Sequence, residues 1–292
     1  MVTGANSGVG FEVARYLARR GAEVHLVCRS AQRGEEARRA IVAASGNSNV
    51  HLLVCDCGLE SDVRAAWASF SQGVAAPRLD VLVCNAGVLL NERTLTSERV
   101  EVTLACHLLF GTYLLGKLAL PALEATPGSR MVAVSSGRMY NPRLTLSLTL
   151  TLTLTLTLIL APTLTLTLTL TNPDPNQVSS GGMYNCRFPS WEVAASLEGG
   201  FSGNLAYAYA KRGQVLLCER WAEEHPKVKF VSCHPGWTAT PAVDAAYGEM
   251  KKYLEPMRSP WQGAEGIAWL CVVEASTLQS GAFYLDRKVR VR

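Results

Sequence analysis

The sequence predicts an α/β fold, a single doubly wound domain in which helices cover both faces of a parallel sheet. Two observations predict this fold class. Short apolar runs typical of strands alternate with runs of helical periodicity from residue 1 to about 137, and alternation at this spacing indicates right-handed βαβ units. The chain has 292 residues, enough for one large domain with a substantial core. We therefore treat residues 1–292 as one domain.

The elements of the first half follow from local pattern. Helical periodicity begins after a glycine-rich turn, and Gly21 ends that first helix. Short apolar runs predict strands at 23–28, 51–55, 79–84 and 130–134, and longer periodic runs predict helices at 11–17, 32–44, 63–70 and 97–118. Only Met1 and Val2 precede the turn, so we expect a domain that is truncated at its first strand.

A low-complexity insert at residues 142–177 interrupts this pattern. Threonine and leucine alternate through most of residues 143–171, a strand-like period in a run far longer than the usual 3–10 residues. Pro162 and the threonine content argue against a membrane span. Residues 178–185 nearly repeat residues 134–141, so a duplicated segment flanks the insert on both sides. This duplication favours an insertion of repetitive DNA that is translated as protein. The alternative is a functional membrane or partner-binding strand.

The α/β pattern resumes after the insert. A helix that contains Tyr207 extends to about His225, and we predict a strand at 228–233, a helix at 261–273 and a last short strand at 281–285. The second half therefore completes the sheet that the first half begins.

Composition excludes several function classes. The net charge is +4 and the basic residues are scattered, which disfavours nucleic-acid binding. The nine cysteines are odd in number and lack zinc-type spacing, so we read them as small buried hydrophobes and predict no metal site. The N-terminus shows no signal peptide. The compartment is unknown, cytoplasmic by default, and the sequence leaves a homo-oligomer open.

A glycine-rich turn lies between the first strand and the first helix, in the run Thr3-Gly4-Ala5-Asn6-Ser7-Gly8-Val9-Gly10. Glycines let the main chain approach a pyrophosphate closely, and the following helix offers free N–H groups and the positive end of its dipole. The order of strand, turn and helix therefore favours a Rossmann-like nucleotide-binding domain over a plain tight turn.

Arg29 follows the second strand, where an acidic residue would bind the adenosine ribose. A cation at this position suits a 2′-phosphate, so we predict NADP as the cofactor, with NAD as the alternative. The other interpretation of Arg29 is a solvated surface arginine.

Tyr207 and Lys211 are four residues apart in a predicted helix and so lie on one face. An ammonium group beside a phenol stabilises the phenolate and lowers the tyrosine pKa from about 10. Such a tyrosine can exchange a proton with an alcohol or a carbonyl near neutral pH. The pair alone is weak evidence, because an amphipathic helix with an exposed lysine has the same spacing.

Five motifs in order make the sequence resemble the short-chain dehydrogenase/reductases. They are Thr3-Gly4-x-x-x-Gly8-x-Gly10, Asn85-Ala86-Gly87, Val134-Ser135-Ser136, Tyr207-x-x-x-Lys211 and His234-Pro235-Gly236-Trp237. The resemblance covers nearly everything except residues 142–177. It implies that Tyr207 is the proton donor and acceptor, that Lys211 lowers its pKa and holds the nicotinamide ribose, and that a serine binds the substrate oxygen.

The same resemblance implies the cofactor contacts. Phosphates would lie against the glycine-rich turn, adenine near the third strand, and the nicotinamide end near the loop after the sixth strand. By this carry-over, the cofactor-binding residues are Gly4, Ser7, Gly8, Val9, Gly10, Arg29, Asp56, Cys57, Asn85, Ala86, Gly87, Tyr207, Lys211, Pro235, Gly236 and Thr240. Tyr209 has the wrong spacing from Lys211, and we expect it to pack.

The serine is present twice, because the insert duplicates its motif. Ser136 directly follows the strand at 130–134, whereas Ser180 follows a loop rich in proline and asparagine. Ser180 is closer to Tyr207 in sequence, as is usual in the family. Strand continuity places a side chain at the carboxyl end of the sheet, so we favour Ser136 as the catalytic serine.

The helix asparagine that completes the family's proton relay is missing. The segment Ala105 to Gly111 contains no asparagine and is one residue longer than the family pattern implies. Counting from upstream puts His107 in the asparagine's place, and counting back from Gly111 puts Leu108 there. A histidine could act as a polar relay and a leucine could not, and a core histidine without a role is the alternative.

We expect an NADP-preferring oxidoreductase that interconverts an alcohol and a carbonyl. A bulky apolar substrate is suggested by aromatic and methionine side chains after the sixth strand, namely Trp237, Tyr247, Met250, Tyr253 and Met257, although simple helix packing explains them equally well. The rival interpretation is a nucleotide-binding protein without turnover, disabled by its truncated first strand, its missing asparagine and its insert.

Overall fold

The computed structural model describes residues 1–74, 76–136, 151–153, 169–171, 201–241, 243–244 and 255–290. The strands are β1 (Val2–Thr3), β2 (Val24–Cys28), β3 (Val50–Val54), β4 (Val81–Cys84), β5 (Arg130–Val134), β6 (Thr151–Thr153), β7 (Thr169–Thr171), β8 (Lys229–Cys233), β9 (Phe283–Leu285) and β10 (Lys288–Val289). The helices are α1 (Gly8–Arg19), α2 (Ala31–Ser45), α3 (Glu60–Ser71), α4 (Val102–Ala125), α5 (Gly203–Glu224) and α6 (Pro260–Val272).

The central sheet confirms the predicted α/β class. Within the described residues it has eight strands in the order β10-β9-β8-β5-β4-β1-β2-β3. All neighbouring pairs are parallel except β9 and β10, which pair antiparallel. Strand β1 lies between β2 and β4, so the chain reverses its direction of winding at that point. This reversal is the topological switch point of a doubly wound sheet.

Alternate side chains of the central strands enter two different cores. In β4, Leu82 packs with α3, α4 and α5 on one face, whereas Val83 packs with α1 and α6 on the other. In β5, Met131 and Val132 divide in the same way. Successive side chains of a strand point to opposite faces, so a sheet with both faces covered needs apolar residues at every position. This requirement explains the uninterrupted apolar runs of the sequence.

Helix α4 is displaced from its predicted position at 97–118. The residues before it form a turn closed by a bridge between Leu95 and Glu101, with Arg99 at a φ of 64°. The buried carboxylate of Glu101 then accepts hydrogen bonds from the amides of Thr103 and Leu104 and caps the helix. The helix also continues through Pro121 to Ala125, where the sequence pattern alone suggested an earlier end.

Helix α4 is also the one helix of the described residues that is long and apolar enough to span a membrane, and 67% of its most apolar window is buried within the molecule. Its apolar side chains pack on the sheet and on α3 and α5. Core packing therefore accounts for its hydropathy.

Little of the Thr-Leu insert belongs to the described residues. Within it, β6 and β7 pair antiparallel as a separate two-stranded sheet, with Leu152 opposite Leu170. The rest of the insert, and the duplicated motif that contains Ser180, lie outside the described residues.

The central strands should supply most of the stability of the fold. We expect Val231→Ala, in the buried middle of β8, to lower the free energy of unfolding by about 2 kcal/mol, because two methyl groups are lost and a cavity remains. The control is Val54→Ala at the exposed end of β3, expected to change it by less than about 0.5 kcal/mol. Urea denaturation of both variants measures the difference, and equal losses would contradict this account of the core.

Candidate active site

A cavity of about 290 Å³ opens at the carboxyl ends of the strands, beside the switch point between β1 and β4. Ligands of doubly wound folds bind at this place. The cavity lining brings together fourteen of the residues predicted from the sequence: Gly4, Ser7, Gly8, Val9, Gly10, Asn85, Ala86, Gly87, Ser136, Tyr207, Lys211, Pro235, Gly236 and Thr240.

The amino end of α1 forms one wall of the cavity. Ser7 occupies the N-cap position, but its side chain accepts no capping bond within the described part of the chain. The first amide groups of the helix are therefore free to bind an anion. Gly8 has a φ of 56°, and a Cβ built on it would lie 3.2 Å from Cγ2 of Thr240 across the cavity. A side chain here would narrow the space next to the free amides, so this wall fits a pyrophosphate.

Thr3 and Asn85 join the two strands that border the switch point. The Thr3 hydroxyl accepts hydrogen bonds from the amides of Asn85 and Ala86, both at 2.9 Å. The Asn85 side chain donates to the carbonyl of Thr3 at 2.8 Å. The Asn85 side chain therefore holds the glycine-rich turn in place. Thr3 was not among the predicted site residues, because its buried hydroxyl has a partner far away in sequence.

Arg29, Asp56 and Cys57 lie outside the cavity lining. Arg29 and Asp56 follow the neighbouring strands β2 and β3, and their charged groups are 3.7 Å apart. The Arg29 side chain is 62% exposed, so its guanidinium can still meet a phosphate. The thiol of Cys57 is buried in the core, on the face covered by α3 and α4. Any contact of Cys57 with a ligand would therefore involve its main chain.

Tyr207 and Lys211 lie on α5 and both face the cavity. The ammonium group of Lys211 is 5.6 Å from the centre of the Tyr207 ring. Lys211 is 3% exposed, and its Nζ donates to the carbonyl of Val134 at 2.6 Å. Burial lowers the pKa of Lys211 to about 8. The lysine therefore remains mainly charged at neutral pH but titrates close to it.

The serine motif contains two serines with different surroundings. Ser135 is buried, and its hydroxyl donates to the main-chain carbonyl of Lys211 at 2.8 Å. Ser136 is half-buried and lines the cavity with Tyr207. Ser180 is outside the described residues, so the choice of Ser136 over Ser180 as the catalytic serine stays a prediction from the sequence. Tyr209 does not line the cavity.

His107 faces the cavity and Leu108 does not. The His107 ring meets the Tyr207 ring edge to face, with centroids 5.2 Å apart. Leu108 points toward α5 instead, where a Cβ built on Gly213 would lie 2.4 Å from its Cδ2. Residues Ala105–Leu114 form a π-helical stretch within α4. A π-turn holds one residue more than an α-turn, which accounts for the extra residue in this segment.

The main chain and ring of His107 are held by separate contacts. Its carbonyl accepts hydrogen bonds from the Gln214 side chain at 2.9 Å and from the Thr112 hydroxyl at 2.5 Å. Its Nε2 lies 2.9 Å from the amide nitrogen and 2.7 Å from the carbonyl oxygen of Val88. Burial, followed by the Lys211 charge, holds the pKa of His107 well below its usual value. The ring is therefore neutral at physiological pH.

The loop after β8 forms the opposite wall of the cavity. Gly236 has a φ of 78°, and a Cβ built on it would lie 2.6 Å from the Arg258 side chain. Arg258 donates to the carbonyl of Pro235 at 3.3 Å and to both carboxylate oxygens of Asp286, at 2.6 and 2.9 Å. Arg258 and Asp286 thus brace this wall, and only the tertiary structure brings them to it.

Several residues of the lining were not predicted from the sequence. Asn6, Ser135 and His234 stand within the motifs, so the motifs could have identified them. Val88, Leu89, Pro241 and Val243 belong to no motif. Trp237 also lines the cavity. Met257 does not, and Tyr247, Met250 and Tyr253 lie outside the described residues.

Several known proteins resemble this chain in sequence. The family model of the short chain dehydrogenases matches residues 1–147. Dehydrogenase/reductase SDR family member 12 of Bos taurus is 35% identical over 290 residues, which are 99% of this chain and 76% of that protein. The Homo sapiens protein of the same name is 34% identical over the same shares. Retinol dehydrogenase 12 of Bos taurus is 39% identical over 138 residues, 47% of this chain and 42% of that protein.

Solved structures resemble the fold. L-sorbose reductase from Gluconobacter frateurii, complexed with NADPH and L-sorbose, has a TM-score of 0.63 at 20% sequence identity. The match covers 97% of this chain and 92% of the reductase chain. A 3-ketoacyl-(acyl-carrier-protein) reductase from Brucella melitensis, complexed with NADH, has a TM-score of 0.59 at 20% identity, with shares of 96% and 93%. The fold, the matching first half and the relatives that span almost the whole sequence agree, so the chain belongs to the short-chain dehydrogenase/reductase family of oxidoreductases.

Proposed function

We propose that this oxidoreductase interconverts an alcohol and a carbonyl, with Tyr207 as general acid and base and NADP(H) as the preferred cofactor. One observation carries the proposal. A single cavity is lined by the free amino end of α1, where an anion can bind, and by Tyr207, Lys211 and Ser136. Binding a dinucleotide and transferring a proton are therefore possible at adjoining walls of one site.

The cavity lining suits the pyrophosphate and nicotinamide part of a dinucleotide, and the adenosine end would extend beyond it toward Arg29 and Asp56. The amides after Ser7 and Gly8 would hold the pyrophosphate, and Pro235, Gly236 and Thr240 would enclose the nicotinamide end. When bound, the nicotinamide supplies or accepts a hydride.

Tyr207 would exchange its phenolic proton with the substrate oxygen. The Lys211 ammonium, 5.6 Å from the ring centre, favours the phenolate when that proton leaves, because opposite charges attract strongly in a site with little water. The Ser136 hydroxyl would donate a hydrogen bond to the same oxygen and orient the substrate. This division assigns proton transfer to Tyr207 and positioning to Ser136.

We assign to His107 the place of the missing helix asparagine. Its neutral ring can donate or accept a hydrogen bond at either nitrogen, and its edge-to-face contact with Tyr207 puts it next to the proton donor. Its Nδ1 is buried and has no hydrogen-bond partner among the described residues. A bound ligand or water could satisfy this atom. His107 would therefore pass protons as a neutral polar group.

The preference for NADP rests on Arg29. Its guanidinium lies at the carboxyl end of β2, is largely exposed and is only loosely paired with Asp56. A planar guanidinium binds a phosphate in bidentate fashion. Since Asp56 is also an acceptor for a ribose hydroxyl, loss of Arg29 should leave NAD binding possible.

We propose an apolar substrate. The cavity lining also includes the apolar residues Val88, Leu89 and Trp237, and burying an apolar substrate against them would be favourable. One relative is by name a retinol dehydrogenase, and retinol is an apolar alcohol. That relative matches less than half of this chain, so the lining carries this proposal.

A nucleotide-binding protein without turnover is the rival function. The observation that favours it is the bond between Lys211 Nζ and the carbonyl of Val134, which takes up one of the three N–H donors that could otherwise hold a nicotinamide ribose. Measurements of turnover and of NADPH binding in the wild type and in Tyr207→Phe separate the two functions.

We expect Tyr207→Phe to lower kcat at least about 100-fold, because the general acid is lost, while the Kd of NADPH changes little. Steady-state reduction of apolar aldehydes and NADPH fluorescence titration measure the two quantities. Tyr209→Phe is the matched control, because it removes the same hydroxyl from the same helix outside the cavity. Wild-type protein that binds NADPH and shows no turnover would support the rival function.

We expect Arg29→Gln to raise the Kd of NADPH about tenfold and leave the Kd of NADH nearly unchanged, because one charge-assisted contact with the 2′-phosphate is lost. Competitive titrations with both dinucleotides measure the ratio. Arg39→Gln is the control, since Arg39 is an exposed cation on α2 that pairs with Glu35. An equal loss for NADH in Arg29→Gln would refute the assignment.

We expect kcat/KM for carbonyl reduction to fall as the pH rises through about 8, the pKa to which burial lowers Lys211. Lys211 carries its charge below this pH and loses it above, and kcat/KM reports the free enzyme. Lys211→Arg keeps the charge at high pH. The fall of kcat/KM in this variant should therefore begin at a higher pH than in the wild type. A wild-type value that stays constant up to pH 10 would contradict the role of Lys211.

A further inference from the structure

Glu23, His25 and His51 lie together at the amino-terminal end of the sheet, opposite the candidate active site. Glu23 directly precedes β2, His25 is the second residue of β2, and His51 is the second residue of β3. His25 and His51 are partners in the parallel register of these strands, so their side chains project from the same face. We call these three residues the Glu23 cluster.

The ligand atoms of the Glu23 cluster converge. Nε2 of His25 is 3.0 Å and Nε2 of His51 is 3.5 Å from the same carboxylate oxygen, Oε1 of Glu23. Each of the three residues offers one ligand atom, and these atoms lie within 4.8 Å of one another. In a tetrahedral zinc site with bonds of 2.0–2.1 Å, neighbouring ligand atoms are about 3.3 Å apart. The two measured distances bracket this value.

The two imidazole rings also have a suitable separation. Their centroids are 4.9 Å apart and their planes differ by 26°. A zinc ion bound to Nε2 lies about 3.2 Å from a ring centroid, so this separation corresponds to an angle of about 100° at the metal, close to the tetrahedral value. The rings are stacked, so side-chain rotation must turn both Nε2 lone pairs toward the shared ion, and the half-exposed His51 has room to do so.

The scaffold holds the ligands before any metal binds. Five register pairs join β2 to β3, and the Phe70 ring meets the His25 ring edge to face at 4.8 Å. The side chains of His25, His51 and Glu23 are 18, 50 and 62% exposed. An ion can therefore enter from solvent, and water can take the fourth position.

We propose that Glu23, His25 and His51 form a binding site for a divalent transition metal ion, with Zn²⁺ as the best match. Two imidazoles and one carboxylate are a ligand set that suits this class of metal. Cysteine spacing in the sequence indicates no metal site, whereas these ligands come together only when β3 pairs with β2. The bound ion fastens the edge strand β3 to β2 and stabilises the fold without contributing to the active site.

The test uses the intact chain with Zn²⁺ alone as the probe. Isothermal titration calorimetry should show one bound ion per chain, and the Tm should rise by several degrees at tenfold excess of Zn²⁺, because the ion binds only the folded state. His51→Asn and Glu23→Gln should each weaken Zn²⁺ binding at least about tenfold, since even loss of an outer partner of a metal ligand costs roughly 10–100-fold. Both variants should lose the rise in Tm.

The matched control is His225→Asn. His225 and Glu124 form a similar pair, with 2.9 Å between Nδ1 and Oε1, but the described residues provide them with no third ligand. This variant should bind Zn²⁺ as the wild type does. The proposal is overturned if the wild type shows no heat of binding and no rise in Tm, or if His51→Asn and Glu23→Gln bind Zn²⁺ as tightly as the wild type. Both substituted positions are exposed, so the variants should fold.

Discussion

The buried ammonium group of Lys211 is the constraint on which the candidate active site depends. A cation removed from water must be held by polar partners, and Nζ of Lys211 donates to the carbonyl of Val134 at the end of β5. The hydroxyl of Ser135 in turn donates to the carbonyl of Lys211. These reciprocal bonds fasten the middle of α5 to the carboxyl end of β5. Since Tyr207 precedes Lys211 by one helical turn and Ser136 follows Ser135, the same bonds set the position of Tyr207 relative to Ser136.

A second constraint acts through α4, which packs against α5. The π-helical stretch absorbs one extra residue without breaking the helix. It also leaves the carbonyl of His107 available to Gln214, which lies one turn after Lys211 on α5. The two helices are thus joined by a polar contact beneath the cavity. The His107 ring is turned toward Tyr207 as a result, and the apolar Leu108 fills the space beside Gly213.

The two ends of the sheet serve different purposes. At the carboxyl ends, the strand order reverses at β1, and the bonds between Thr3 and Asn85 hold the turn that leads into α1. Free helix amides and glycines there make room for an anionic ligand. At the amino ends, the parallel register of β2 and β3 pairs His25 with His51, and Glu23 directly precedes β2. The candidate active site and the proposed metal site therefore lie at opposite ends of the sheet.

The sequence by itself determined the fold class, most of the elements and most of the cavity lining. Apolar runs identify buried strands, as at residues 130–134, and motifs at strand ends meet at one edge because parallel strands share their direction. Only the tertiary structure decided which of His107 and Leu108 faces Tyr207, since the direction of a side chain in a π-turn does not follow the α-helical period. It also decided where α4 begins, because the capping carboxylate of Glu101 outweighs the local pattern. The bracing of the Pro235–Gly236 wall by Arg258 and the Glu23 cluster likewise depend on contacts between distant segments, which no local pattern in the sequence records.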